Sequence, residues 1–145
     1  MGMEVPVGNG RQYLGRIEID GLPSKDLAGN TRCVHFVYQR AFDKLKIDAQ
    51  WAIKKARIKK AQNRVETKVT FVVPNNRRLD EDNMMFGLKA VWDALVECTI
   101  IPDDCWRHLT HGRPTFVIAR RRKHPKVVID FWEGESLVQE GKDAD

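Results

Sequence analysis

Along the chain the spacing of apolar residues switches between a period of two and the spacing of a helix, and each switch marks an element. In RQYLGRIEIDG the alternation runs through Tyr13, Gly15, Ile17 and Ile19 before GLPS supplies turn residues, which predicts a strand ending near Asp20. From about Thr31 to Arg64 there is no Pro or Gly. Over that stretch Val37, Ala41, Leu45, Ala49 and Ala52 or Ile53 recur at helical spacing, which predicts one long helix. Its last turns, KKARIKKAQNR, carry Lys54, Lys55, Arg57, Lys59, Lys60 and Arg64. TKVTFVV, Thr67 to Val73, is β-branched and stops at Pro74, so it reads as a buried strand feeding a loop. Beyond the loop, Met84, Leu88, Val91 and Leu95 share a stripe with Met85 and Trp92 alongside, predicting a helix from about Asn83 to Cys98 that Pro102 keeps from continuing. PTFVIARRR and KVVIDFW read as strands joined near His124 and Pro125 in a hairpin, and WRHLTH is a candidate third.

The order β-α-β-α-β-β predicts a single α+β domain, a small mixed sheet with two main helices. The domain spans residues 1–132; the charged tail, 133–145, has little apolar surface to bury and is expected to fray. A length of 145 residues fits one core. With 42% hydrophobic and 31% charged residues, the expectation is a folded chain with a heavily charged surface. No apolar run approaches the roughly 18 residues that would span a bilayer, and MGMEVPVGNG lacks the basic and apolar regions of a leader, so no membrane association or secretion is expected. Cys33, Cys98 and Cys105 are odd in number and form no C-x-x-C pair, which points to a reducing, cytoplasmic setting.

Charge adds what the periodicity does not show. The net formal charge is +5, yet seven acidic residues between Asp80 and Asp104 face Lys89 alone, and six between Asp130 and Asp145 face only Lys142. A basic body therefore surrounds an acidic island. Asp80, Glu81 and Asp82 at a helix N-terminus have a purely structural reading, as a cap favoured by the helix dipole. Against it, Asp80 and Asp82 are two apart at the end of a strand, where alternation points both to one side. If the chain path returns Asp103 and Asp104 to them, the mutual repulsion of the carboxylates calls for a cation, and hard oxygen donors favour Mg2+ or Mn2+. Such an ion neutralises a phosphodiester and lowers the pKa of an attacking water, while lysines and arginines around it attract the polyanion. Acidic centre and basic flanks together suggest metal-dependent cleavage of nucleic acid.

The segment from Arg77 to Asp104 resembles the RusA family of Holliday junction resolvases. It has arginines Arg77 and Arg78, then Asp80, Glu81, Asp82 and Asn83 as D-x-D-N, an amphipathic helix with Lys89 and Asp93, and the pair Asp103 and Asp104. A looser likeness covers the GLPS turn, the long basic helix and the terminal strands. The resemblance implies a small homodimeric endonuclease that binds branched DNA, the four-way junction, and nicks two opposing strands with Mg2+. It assigns Asp80, Asp82 and Asp104 as catalytic, metal-binding carboxylates and Asp103 as their acidic neighbour. The family's lysine commonly follows the second aspartate by four residues, whereas Lys89 follows Asp82 by seven. At about 100° per residue Lys89 and Asp93 stay within roughly 20° of the direction of Asp82, but about 4.5 Å farther along the axis. Lys89 is thus placed either to stabilise phosphate charge or to pair with Asp93 at i, i+4.

Lys54 and Lys55 read as a solvated helix face or as contacts to DNA backbone, and Arg120, Arg121, Arg122 and Lys123 as a basic projection over phosphates. Cys105, His108 and His111 make a C-x-x-H-x-x-H without an evident fourth ligand, a weak zinc signal. Trp92 and Trp106 read as core or dimer-interface residues. No small-molecule cofactor is implied. Two other readings stay open: a non-catalytic DNA-binding module whose acids cap a helix, and a nuclease preferring flaps, forks or RNA.

Overall fold

β5 (Lys126–Glu133) buries six positions in succession, Val127 to Trp132, and a strand apolar on both faces belongs in the middle of a sheet. It lies between β1 (Gln12–Asp20) and β2 (Val65–Val73) and runs antiparallel to both. Two short strands share β2 as a parallel partner: β3 (Leu109–His111) along Val65–Thr67 and β4 (Thr115–Ile118) along Thr70–Val73. Between them the Gly112 N–H donates to the Thr67 carbonyl at 2.9 Å, which carries the ladder across the break. The computed structural model describes residues 11–28, 34–76, 79–119 and 124–134. It shows a mixed α+β domain with a five-stranded sheet.

The hairpin expected from PTFVIARRR and KVVIDFW does not form. β4 runs parallel to β2, while β5 crosses to the sheet centre. The reason is amphipathicity: β4 is largely exposed and suits an edge, whereas β5 needs neighbours on both sides. Adjacency in sequence does not carry that difference. WRHLTH does contain a strand, β3. β5 runs on through Glu133, whose carboxylate accepts from the Gln62 and Asn63 N–H groups.

α1 (His35–Ala56) presents Ala49 and Ile53 to the core. It stops well short of Arg64, because Arg57 adopts a left-handed φ of 56° and the Ile58 N–H turns back to the Ile53 carbonyl at 3.3 Å. Burial of Ile58 draws the chain inward there, so Lys59, Lys60 and Arg64 do not belong to the helix. Arg64 instead leads into β2, buried, donating to Glu66 at 2.6 Å and Thr110 at 2.9 Å.

The single helix expected from Asn83 to Cys98 is two, α2 (Glu81–Phe86) and α3 (Lys89–Glu97). They part at Gly87, where a Cβ would stand 2.9 Å from that of Pro23 in the GLPS turn. A glycine with that turn pressed against it lets the chain bend without a clash. The apolar stripe survives the bend: Leu88, Val91 and Leu95 are all buried. They meet Ile17, Val69, Phe71, Ile129 and Phe131, which face them from the sheet. Because these sheet positions are all odd-numbered, the even-numbered ones, Asp130 and Trp132 among them, belong to the other face.

α3 ends in a second left-handed residue, Thr99 at φ 60°, with the Thr99 N–H on the Val96 carbonyl and the Ile100 N–H on the Leu95 carbonyl, both at 3.0 Å. This helix stop favours glycine, and a β-branched residue is strained in it. Thr99→Gly is therefore expected to stabilise the fold by about 0.5–1 kcal/mol, less than the full relief because glycine loses more chain entropy. A thermal melt with no rise in midpoint would contradict it.

Candidate active site

The loop after β2 leads into α2, and Asp80 caps that helix: its Oδ1 accepts the Asn83 N–H at 3.1 Å. The structural reading of Asp80 is thus satisfied in part, since a cap uses one carboxylate oxygen and leaves the other. Glu81 is held by Arg113 at 3.2 and 3.4 Å, which ties α2 to the break between β3 and β4. Asp82 is exposed, and its side chain takes part in no hydrogen bond or ion pair among the described residues.

Lys89 opens α3 and carries the contact that organises the site. Its Nζ donates to Asp93 Oδ1 at 2.9 Å and to Asp104 Oδ2 at 2.7 Å. The sequence spacing therefore resolves both ways, as an i, i+4 pair and as a bridge to an acid 15 residues on. The bond to Asp104, then that to Asp93, raises the Lys89 pKa above the ordinary lysine range. The same bond lowers the Asp104 pKa, outweighing partial burial. Asp103 turns to the backbone, accepting the Cys105 N–H at 3.2 Å.

His111 was visible in the sequence only as the last position of a weak zinc pattern, and the fold gives it another setting. Register places it opposite Thr67 on β2, with Nδ1 and Thr67 Oγ1 2.7 Å apart. Its ring lies on Trp92, with centroids 4.2 Å apart and planes at 32°. Although the residue reaches solvent, the ring's packing lowers its pKa, and the charge of Asp104 acts in the opposite direction. Nothing in the sequence spacing could show this, because it depends on β3 pairing with β2. Trp92 is buried as expected, whereas Trp106 stands 57% exposed.

The structure thus brings Lys89, Asp93 and Asp104 together. Among the described residues no group of three or more His, Cys, Asp or Glu side chains gathers closely enough to hold a metal ion. Asp80, Asp82, Asp103 and Asp104 are the right donors for Mg2+ in kind. Asp80 gives one carboxylate oxygen to the helix cap and Asp104 one to Lys89, which leaves each a second oxygen. Lys54 and Lys55 are exposed on the last turn of α1. Arg77, Arg78, Arg120, Arg121, Arg122 and Lys123, expected to contact nucleic acid, lie outside the described residues. No helix among the described residues is long and apolar enough to cross a membrane.

One consequence is open to titration. Lys89→Met removes the charge that favours ionised Asp104, so the Asp104 carboxyl pKa should rise toward the ordinary range, read by carboxyl carbon NMR. Lys89 is half exposed, so little change in stability is expected. An unmoved Asp104 titration would show that the bridge does not persist in solution. No family model matches the chain, and no curated protein matches it either.

Proposed function

We propose that this protein is a Mg2+-dependent endonuclease that resolves four-way DNA junctions by paired symmetric nicks, with Mn2+ as an alternative ion. The observation that carries the reading is the 2.7 Å contact between Lys89 and Asp104. It brings Asp104 onto the lysine that the resemblance to RusA resolvases includes, despite the three extra residues before that lysine. Asp80 and Asp82 lie on one short segment, Asp104 on another, and Lys89 touches the second.

A bound divalent ion would supply charge neutralisation and an activated water. The chain's own residues do the rest. Lys89, with its raised pKa, keeps its proton and stays cationic at neutral pH, as a group meeting a phosphate oxygen must. Asp104 is ionised at neutral pH as aspartates ordinarily are, and Lys89 extends that ionisation to lower pH. Asp82 offers an exposed carboxylate. Lys54, Lys55, Arg77, Arg78 and the Arg120–Lys123 run would draw in the DNA backbone.

A synthetic four-way junction incubated with protein in Mg2+ or in EDTA tests this. Paired nicks at symmetric positions, with Mg2+ only, are expected. A second reading, a non-catalytic DNA-binding module, is favoured by the Asp80 cap and the Glu81–Arg113 pair, which give two of the island's acids structural work. Junction retention without nicks in either buffer would favour that module. Competition with flaps, forks and RNA would reveal a nuclease of different preference.

A further inference from the structure

α1 carries a second apolar stripe on the side away from the core. Ala49 and Ile53 face inward, with Leu45, Ala52 and Ala56 beside them. Phe36, Ile47 and Trp51 are 64%, 51% and 69% exposed. At about 100° and 1.5 Å per residue these three fall within roughly 60° of one another along about 22 Å of helix. Single exposed apolar residues need no explanation, but an aligned stripe opposite the core marks an interaction surface.

The stripe has a symmetry of its own. Its midpoint lies between Asp43 and Lys44, and Phe36 and Trp51 are equally distant from it on the two sides. So are Arg40 and Ile47, and so are Asp43 and Lys44. By the helical repeat, each of these pairs straddles one and the same line on the helix surface. A second helix laid antiparallel over that line would set aromatic against aromatic, the guanidinium stem of Arg40 against Ile47, and carboxylate against ammonium. The present partners of the central charges, Gln39 on Asp43 at 2.9 Å and Lys44 on Asp48 at 3.0 Å, are exposed contacts that exchange readily.

The groove beside the stripe, about 890 Å³, argues against nucleic acid as the occupant. Glu18, Asp20 and Asp48 line it in equal number with Lys44, Lys54 and Lys55. A surface built for a polyanion has a surplus of cations, whereas a self-complementary surface is balanced.

We propose that this face of α1 is a homodimer interface. Two copies pack their α1 helices antiparallel about a two-fold axis at the level of Asp43 and Lys44, with Phe36 against the partner's Trp51 and Asp43 against the partner's Lys44. Lys54 and Lys55 then sit at the rim, where charges stay in water. The interface does not depend on DNA cleavage, so its failure and that of the nuclease reading are separable.

Sedimentation equilibrium without DNA tests it. The wild type should be dimeric at tens of micromolar. Ile47→Glu and Trp51→Glu should each weaken the dimer by roughly 30-fold or more, with the circular dichroism spectrum unchanged. Asp43→Lys or Lys44→Asp alone should weaken it too, and the two together should restore it. A monomeric wild type, or a dimer indifferent to Trp51→Glu, would overturn the proposal. Failure of the double exchange to restore the dimer would overturn the antiparallel register.

Discussion

Asp130→Ala should destabilise the protein by roughly 3 kcal/mol, the largest loss expected from any single side chain outside the apolar core. Asp130 sits mid-strand in the central β5 with its side chain only 3% exposed. Its Oδ1 accepts the Tyr13 hydroxyl at 2.7 Å and Arg16 Nε at 2.8 Å, and its Oδ2 accepts Arg16 Nη2 at 3.1 Å. Alanine would remove the carboxylate and leave a confined guanidinium and a phenol without it. The side chain of Arg16 is 19% exposed, so water compensates in part, and the loss falls at the lower end of that for a fully buried pair. Chemical denaturation measures it; a loss under 1 kcal/mol would mean the network contributes little.

The same network has an alkaline signature. Burial first, and then the bond to Asp130, push the Tyr13 phenol up to about 12. Its unfolded value is about 10. A folded pKa above the unfolded one gives stability that is complete below pH ~10 and is lost as pH rises through ~12. Tyr13 is only partly buried, so the size of this effect is screened, but Tyr13→Phe should remove it from the stability profile.

Asp82→Asn should abolish junction cleavage, a loss of about 100-fold or more, while leaving junction binding equal or tighter. An exposed carboxylate near a phosphate repels it, so neutralising the group helps binding even as it removes a donor. Asp104→Asn should match the loss in cleavage, and additionally free Lys89 from one of its two partners. Gel retention beside nicking on one labelled junction separates the two quantities. Normal turnover by either variant would remove that aspartate from the reaction.

How much of this was legible beforehand depends on whether local pattern or tertiary partners decided each feature. β1 and β2 followed from alternation and β-branching, and the stripe through Leu88, Val91 and Leu95 fixed which face of α3 is buried. The break at Gly87 was not legible, because the close approach of Pro23 to that position is a contact between residues distant in sequence. Nor was the parallel pairing of β4, since PTFVI reads as a strand whichever neighbour it takes. The Tyr13, Arg16 and Asp130 network left a readable trace: an aspartate inside VVIDFW demands a partner, and an arginine in the alternating first strand is a natural one. At the candidate site, Lys89 and Asp93 were placed on one face by helical spacing. The bridge to Asp104 depended on where the turn after α3 delivers the chain, which spacing does not encode.

Manganese binding counted by electron paramagnetic resonance, on DNA-free wild type, Asp82→Asn and Asp104→Asn, addresses the central claim that carboxylates from both parts of the acidic island serve one ion. The account predicts a bound ion in the wild type and comparable loss of it in both variants. Full binding in Asp104→Asn beside lost binding in Asp82→Asn, or no binding at all, would contradict it.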